Sequence, residues 1–196
     1  MEEKKYDYRF KIQLLGESGV GKSSLIQRFI EGNFQENLFL FTDFRIKFLN
    51  IENKIIKSQF WEYSSGERFR IIPPSYYRTT HGFIVIYDIS NKYSFNQIRK
   101  WLEQIELYSP PEARKILIGN KNDKNSEREI SEEEGKNLAN EFNMNFFETS
   151  AKTGYNVNEA FEFLVWDIFE NYKTFNENTI KLKKNDKIGK NKNCNK

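Results

Sequence analysis

Long apolar runs are missing from this chain: the longest, around Phe83 to Ile89, falls far short of the roughly 20 residues a membrane-spanning helix needs. Any membrane contact is therefore expected to be peripheral. Cysteine is nearly absent as well. The lone Cys194 rules out an intramolecular disulfide, and the opening MEEKKYDYRF lacks the apolar stretch of a signal peptide, so a cytosolic, reducing location is expected. Nor is there an excess of one charge. Lys and Arg number 31 against 28 Asp and Glu, a formal +3 that gives no global case for nucleic-acid binding, and no nucleic-acid partner is expected. No internal repeat is found. What is present, 38% hydrophobic and 16% aromatic residues in a chain of 196, suffices for one substantial core and predicts a single domain.

Short β-branched and aromatic runs alternate with longer helical patterns. RFKIQLL (9–15), FRIKFLNI (44–51), IIKSQFW (55–61), GFIVIYDI (82–89), KILIG (115–119) and NFFE (145–148) read as strands. Apolar residues at helical spacing fall in 22–30, 94–108, 131–142 and 156–172. Ile51 to Lys54 joins two strands too closely for a helix, which predicts an antiparallel hairpin at one edge. The fold class is therefore α/β: a six-stranded, mostly parallel sheet with one antiparallel edge strand and helices on both faces. Such sheets bind ligands at the carboxyl ends of their strands. After Phe175 the chain turns rich in Asn and Lys and poor in large apolar residues, so a domain over 1–175 and a disordered lysine-rich tail over 176–196 are expected.

The strongest chemical signal is GESGVGKS, Gly16 to Ser23, which matches GxxxxGK[ST] between a strand and a helix. Gly16, Gly19 and Gly21 let the backbone curl so that the N–H groups of the loop, through Glu17, Ser18 and Val20 to Ser24, point inward at phosphate. Lys22 would neutralise the outer phosphates, and the Ser23 hydroxyl would ligate Mg²⁺. GNKND (119–123) follows a strand, and Asp123 can accept both the ring N–H and the exocyclic amine of guanine, a donor pair adenine lacks. ETSAK (148–152) follows the last strand, where the Ala151 N–H can meet the guanine carbonyl. Singly, each stretch also reads as a polar turn; in order, each after a strand, they read as a guanine site holding GTP or GDP with Mg²⁺.

These stretches, with ERFR (67–70), SYYRTTHG (75–82) and IVIYDIS (84–90), resemble in sequence and order those of Rab proteins in the Ras superfamily, over roughly residues 8–172. The resemblance implies a P-loop small G-domain that hydrolyses GTP to GDP and serves vesicle traffic. It also implies Phe34 stacked on the base, Lys121 and Lys152 flanking it, and Asn120 and Ser150 completing its pocket. Effector, exchange and activating proteins would be met through residues 36–44 and 62–80.

The departures cluster. Where a Rab reads WDTAGQERF this chain reads WEYSSGERF, which places Glu62 where an Asp holds Mg²⁺ through water. Ser65 stands where a Gly meets the γ-phosphate, and Gly66 where a Gln orients the attacking water. In ENLFLFTDF (36–44) the position of the metal-binding Thr falls on Phe39 or Phe41, and Thr42 serves as ligand only if that loop is rebuilt. Leu38 to Phe41 reads either as a partner patch or as local core over the nucleotide. Pro73 and Pro74 would stiffen a segment that rearranges in a switch. Hydrolysis and switching are expected to be weak or altered, with a non-hydrolysing scaffold held in one nucleotide state as the alternative. A metabolic P-loop kinase is disfavoured, because no second substrate lid is visible. The lysine-rich tail suits anionic lipid headgroups on the cytosolic face of an endomembrane, and Cys194 is either a single prenylation site or an unmodified thiol. His81 reads as a turn or interface residue.

Overall fold

The computed structural model describes residues 5–35, 44–62 and 72–191, with side chains as far as 175. Among these residues six strands form one sheet in the order β2-β3-β1-β4-β5-β6: β1 (Tyr8–Leu15), β2 (Phe44–Ile51), β3 (Lys54–Glu62), β4 (Gly82–Asp88), β5 (Arg114–Asn120) and β6 (Asn145–Glu148). Among the described residues only β2 runs antiparallel to its neighbour, and the other pairings are parallel. Glu52 and Asn53 turn β2 into β3 with both φ angles positive, the geometry a tight two-residue hairpin requires.

Alternate strand residues sort to opposite faces, and each face buries its own cluster. Phe10, Ile12, Leu14, Ile84, Ile86, Ile116 and Ile118 point to one side, where they meet α1 (Lys22–Glu31) and α6 (Val157–Asn191) through Leu25, Ile26, Phe29, Phe161, Leu164 and Val165. Phe83, Val85, Tyr87 and Leu117 point to the other, under α2 (Pro74–Arg78), α4 (Ile98–Tyr108) and α5 (Glu132–Glu141). β4 is buried along its whole length, as a central strand covered on both faces must be.

Two elements differ from the sequence reading. The helix expected over 94–108 is divided at Gln97 into α3 (Lys92–Asn96) and α4; Asn91 caps α3 by accepting the Ser94 N–H at 3.0 Å, and Ser94 Oγ accepts from the Asp88 N–H at 3.1 Å. The last helix, expected over 156–172, has backbone running to Asn191. No proline interrupts that stretch, so nothing in the backbone chemistry forces a stop. No helix among the described residues is long and apolar enough to cross a membrane.

Candidate functional site

The loops that leave the carboxyl ends of β1, β5 and β6 converge, and each carries one of the motifs read from the sequence. In the first loop Gly21 caps α1 at φ 97°, and a Cβ there would stand 2.4 Å from Asn120 Nδ2. A Cβ on Gly16 would lie 2.3 Å from the Ile86 carbonyl oxygen. Neither contact is tolerable, so glycine is required both for the curl and for its close approach to β4 and β5. The first turn of α1 holds no acidic residue, which leaves its N-terminal N–H groups and positive dipole end open to an anion.

Lys22 is buried beneath this loop and donates to the carbonyls of Gly16 (3.0 Å) and Glu17 (2.9 Å). Burial pulls its pKa below the ordinary lysine value, opposed by the nearby charges of Glu62 and Glu17. Ser23 donates its hydroxyl to Glu62 Oε1 at 2.6 Å. The second oxygen, Oε2, is buried without a hydrogen-bond partner, and burial lifts the Glu62 pKa despite the Ser23 bond and the Lys22 charge. An unpartnered buried carboxylate oxygen beside a serine hydroxyl, next to an anion-receptive helix end, fits a divalent cation. Ser23 and Glu62 supply only two protein donors, so phosphate and water oxygens would complete its shell.

The loops after β5 and β6 are tied to the loop after β1 and to each other. Asn120 donates to the Val20 carbonyl (2.8 Å), and its Oδ1 accepts from the Thr149 hydroxyl (3.1 Å) and, over 3.4 Å, from the Ala151 N–H. That last bond is long, which leaves the Ala151 N–H available to a stronger acceptor. Lys121 sits at φ 68°, donates to the Gly19 carbonyl at 2.7 Å and pairs with Asp88 at 2.7 Å. A non-glycine residue held in the left-handed region marks a loop shaped by more than its own preference. Asp123 accepts from the Ser150 hydroxyl at 2.5 Å. Arg28 reaches from α1 to the carbonyls of Ala151 (2.8 Å) and Lys152 (2.6 Å).

The structure thus brings together Gly16, Gly19, Val20, Gly21, Lys22, Ser23, Glu62, Asn120, Lys121, Asp123, Ser150, Ala151 and Lys152. Phe34 is half-buried against the core face that holds α1 and α6. Ser65, Gly66, Thr42, Cys194 and the Leu38 to Phe41 cluster lie outside the described residues. Pro73 and Pro74 begin α2, at its N-cap and first position, where a missing N–H costs nothing. His81 accepts the Lys11 N–H at its Nδ1 (3.1 Å), a strand-start contact in keeping with a turn residue. The sequence reading missed Arg28, Asp88, Asn122 and Arg128. Asn122 lay inside GNKND and Asp88 inside IVIYDIS, but no local pattern marked Arg28 or Arg128.

Comparison with known proteins agrees with this geometry. The sequence profile described as "Ras family" matches residues 11–170. The chain is 46% identical to Ras-related protein Rab-1 of Theileria parva over 161 residues, which cover 81% of this chain and 73% of that one. It is 44% identical to Ras-related protein Rab-8A of Gallus gallus over 168 residues (84% and 81%), and 42% identical to Ras-related protein Rab-8 of Diplobatis ommata over 181 (90% and 86%). With its sheet order, its phosphate and base loops and these relatives in agreement, the chain belongs to the Ras family, as a Rab-like small GTPase.

Proposed function

We propose that this protein binds GTP and GDP with Mg²⁺ as a Rab-type component of intracellular membrane traffic, and that its hydrolysis and switching are weak or altered. One contrast carries the reading: the phosphate and base loops are complete and cross-linked, while the hydrolytic loop has Ser65 and Gly66 at its working positions. When bound, Mg²⁺ would supply positive charge against the phosphates, held from the protein side by Ser23 and Glu62. Lys22 and the N–H groups of the first loop hold phosphate, Asp123 and Ala151 read guanine, and Ser23 with Glu62 faces the cation. Gly66 has no side chain with which to orient water, so the chemical step is expected to be slow.

Partners would meet the sheet face beside these loops. Phe44 stacks on Trp61 at 4.5 Å, Lys11 lies over the rings of Trp61 and Tyr76, and both Phe44 and Tyr76 are exposed. Aromatic anchors of this kind favour protein recognition. The lysines of the tail, with or without a lipid on Cys194, would add peripheral contact with an anionic membrane.

The test is to purify the chain, denature it, and identify the released nucleotide by chromatography before and after incubation with GTP and Mg²⁺. Slow conversion of bound GTP to GDP, accelerated in a Gly66→Gln variant, supports a weakened switch. GTP that persists in both proteins supports the scaffold alternative, which the phenylalanines at 39 and 41 favour. Turnover in the unmodified chain equal to that of an ordinary Rab refutes the proposal.

A further inference from the structure

Asp123, the residue assigned to read guanine, stands on a 3-10 helix of six residues (Asn122–Glu127) whose internal side-chain bonds, Lys124 to Glu127 at 2.9 Å and Arg128 to Asn125 at 2.7 Å, lie at its far end. The chain enters it through the left-handed Lys121, and Lys124 departs from helical geometry at φ −95°, ψ 34°. Short 3-10 segments have poor hydrogen-bond geometry of their own. Yet Asp123 must keep two oxygens aimed at two guanine donors, and a tilt of its platform would spoil both bonds.

Ser150 holds the Asp123 carboxylate directly, and Glu148 holds the platform it stands on. Its carboxylate holds both ends of the platform: Asn122 donates from Nδ2 to Oε2 at 2.6 Å, and Arg128, the residue that ends the helix, donates from Nη1 to Oε1 at 2.5 Å and from Nη2 to Oε2 at 2.8 Å. Arg128 also reaches the Ile130 carbonyl at 3.0 Å, so its fork is anchored on two sides. Glu148 is buried, and paired charge-assisted bonds are strongest where water is excluded. β6 places it there: Gly119 of β5 pairs with Glu148, and the backbone closes the join from the Thr149 N–H to the Gly119 carbonyl (2.9 Å) and from the Asn122 N–H to the Thr149 carbonyl (3.0 Å).

We infer that Asn122, Glu148 and Arg128 form a positioning clasp that sets base selectivity through Asp123. The inference rests on the guanine reading proposed above. It makes discrimination between purines depend on three side chains assigned no contact with the base.

The test compares release of fluorescent GDP and fluorescent IDP from the full chain; hypoxanthine lacks the exocyclic amine that Asp123 would accept from. The unmodified chain is expected to hold GDP longer than IDP, and Asp123→Ala to abolish the difference. Asn122→Ala removes one hydrogen bond to a carboxylate and is expected to speed GDP release about tenfold, with a smaller effect on IDP, so that the ratio of the two rates contracts. Glu148→Gln is expected to contract it further. A clasp that merely stabilises the fold would lower the melting temperature and speed both releases equally, leaving the ratio intact in both variants, and that result overturns the inference. If Glu148→Gln fails to fold, the milder Asn122→Ala decides alone. An unmodified chain with no preference for GDP over IDP sinks the guanine reading and the clasp together, whereas a preference untouched by Asn122→Ala sinks the clasp only.

Discussion

Replacing Glu62 by Gln tests the assignment of the cation site, because the change keeps size and shape and removes only the charge. In the unliganded protein Gln can still accept the Ser23 hydroxyl bond made at 2.6 Å. The buried position of Oε2 would then hold an amide nitrogen beside Lys22. Two effects oppose each other there: relief from burying a carboxylate, and loss of the negative charge that compensates buried Lys22. The diagnostic quantity is therefore the gain in melting temperature between protein in EDTA with GDP and protein in Mg²⁺ with GDP. An interaction with a charged group contributes about 2 kcal/mol, so the Mg²⁺-dependent gain should shrink by about that much, some ~30-fold in apparent Mg²⁺ affinity. For a domain of this size that corresponds to about 4–8 °C. An equal Mg²⁺ gain in both proteins would refute the site.

The same residue fixes a pH dependence. Burial raises the Glu62 pKa in the fold, so the native state keeps that proton to a higher pH than the unfolded chain does. Metal-free stability should therefore fall as pH climbs from the ordinary carboxylate range through the folded value of Glu62, with the loss complete above it. Mg²⁺ competes for the same carboxylate, so the Mg²⁺-dependent gain should grow across that window. Both slopes should be absent from Glu62→Gln.

Three further outcomes are expected. Gly21→Ala forces a Cβ to 2.4 Å from Asn120 Nδ2 at φ 97°, and the purified variant should carry little nucleotide when its bound fraction is assayed by chromatography. Phe161→Ala opens the junction where its ring meets Phe29 at 4.8 Å and Phe60 at 5.5 Å, and should lower the unfolding free energy in urea by about 3–5 kcal/mol. Burial first, and then the Arg9 charge, lower the His81 pKa, so the fold favours the neutral ring. Stability should therefore be lost as pH falls from the ordinary histidine value through the lowered one, and urea titrations across that range should show a flatter profile for His81→Gln.

The sheet was legible because its signal is short-range. FRIKFLNI and NFFE are β2 and β6 residue for residue, and the other strands were misplaced only at their ends, where flanking polar residues join or leave the ladder. The break at Gln97 was not legible, because the apolar periodicity runs through it. The phosphate and base motifs stood out in sequence for a similar reason, since each is proposed to act through its own backbone curl or a single carboxylate. Their coupling was not. Asn120 meets Val20, and Arg28 meets Ala151, across more than half the chain, and nothing near either residue in sequence names its partner. Strand register decides those meetings. Because Gly119 pairs with Glu148, the carboxylate that ends β6 emerges level with the start of the Asn122 helix, where a slip of one residue would turn it to the opposite face of the sheet. The platform under Asp123 is thus set by the sheet edge as much as by the motif that carries it, and for that reason the motif alone did not show what holds it in place.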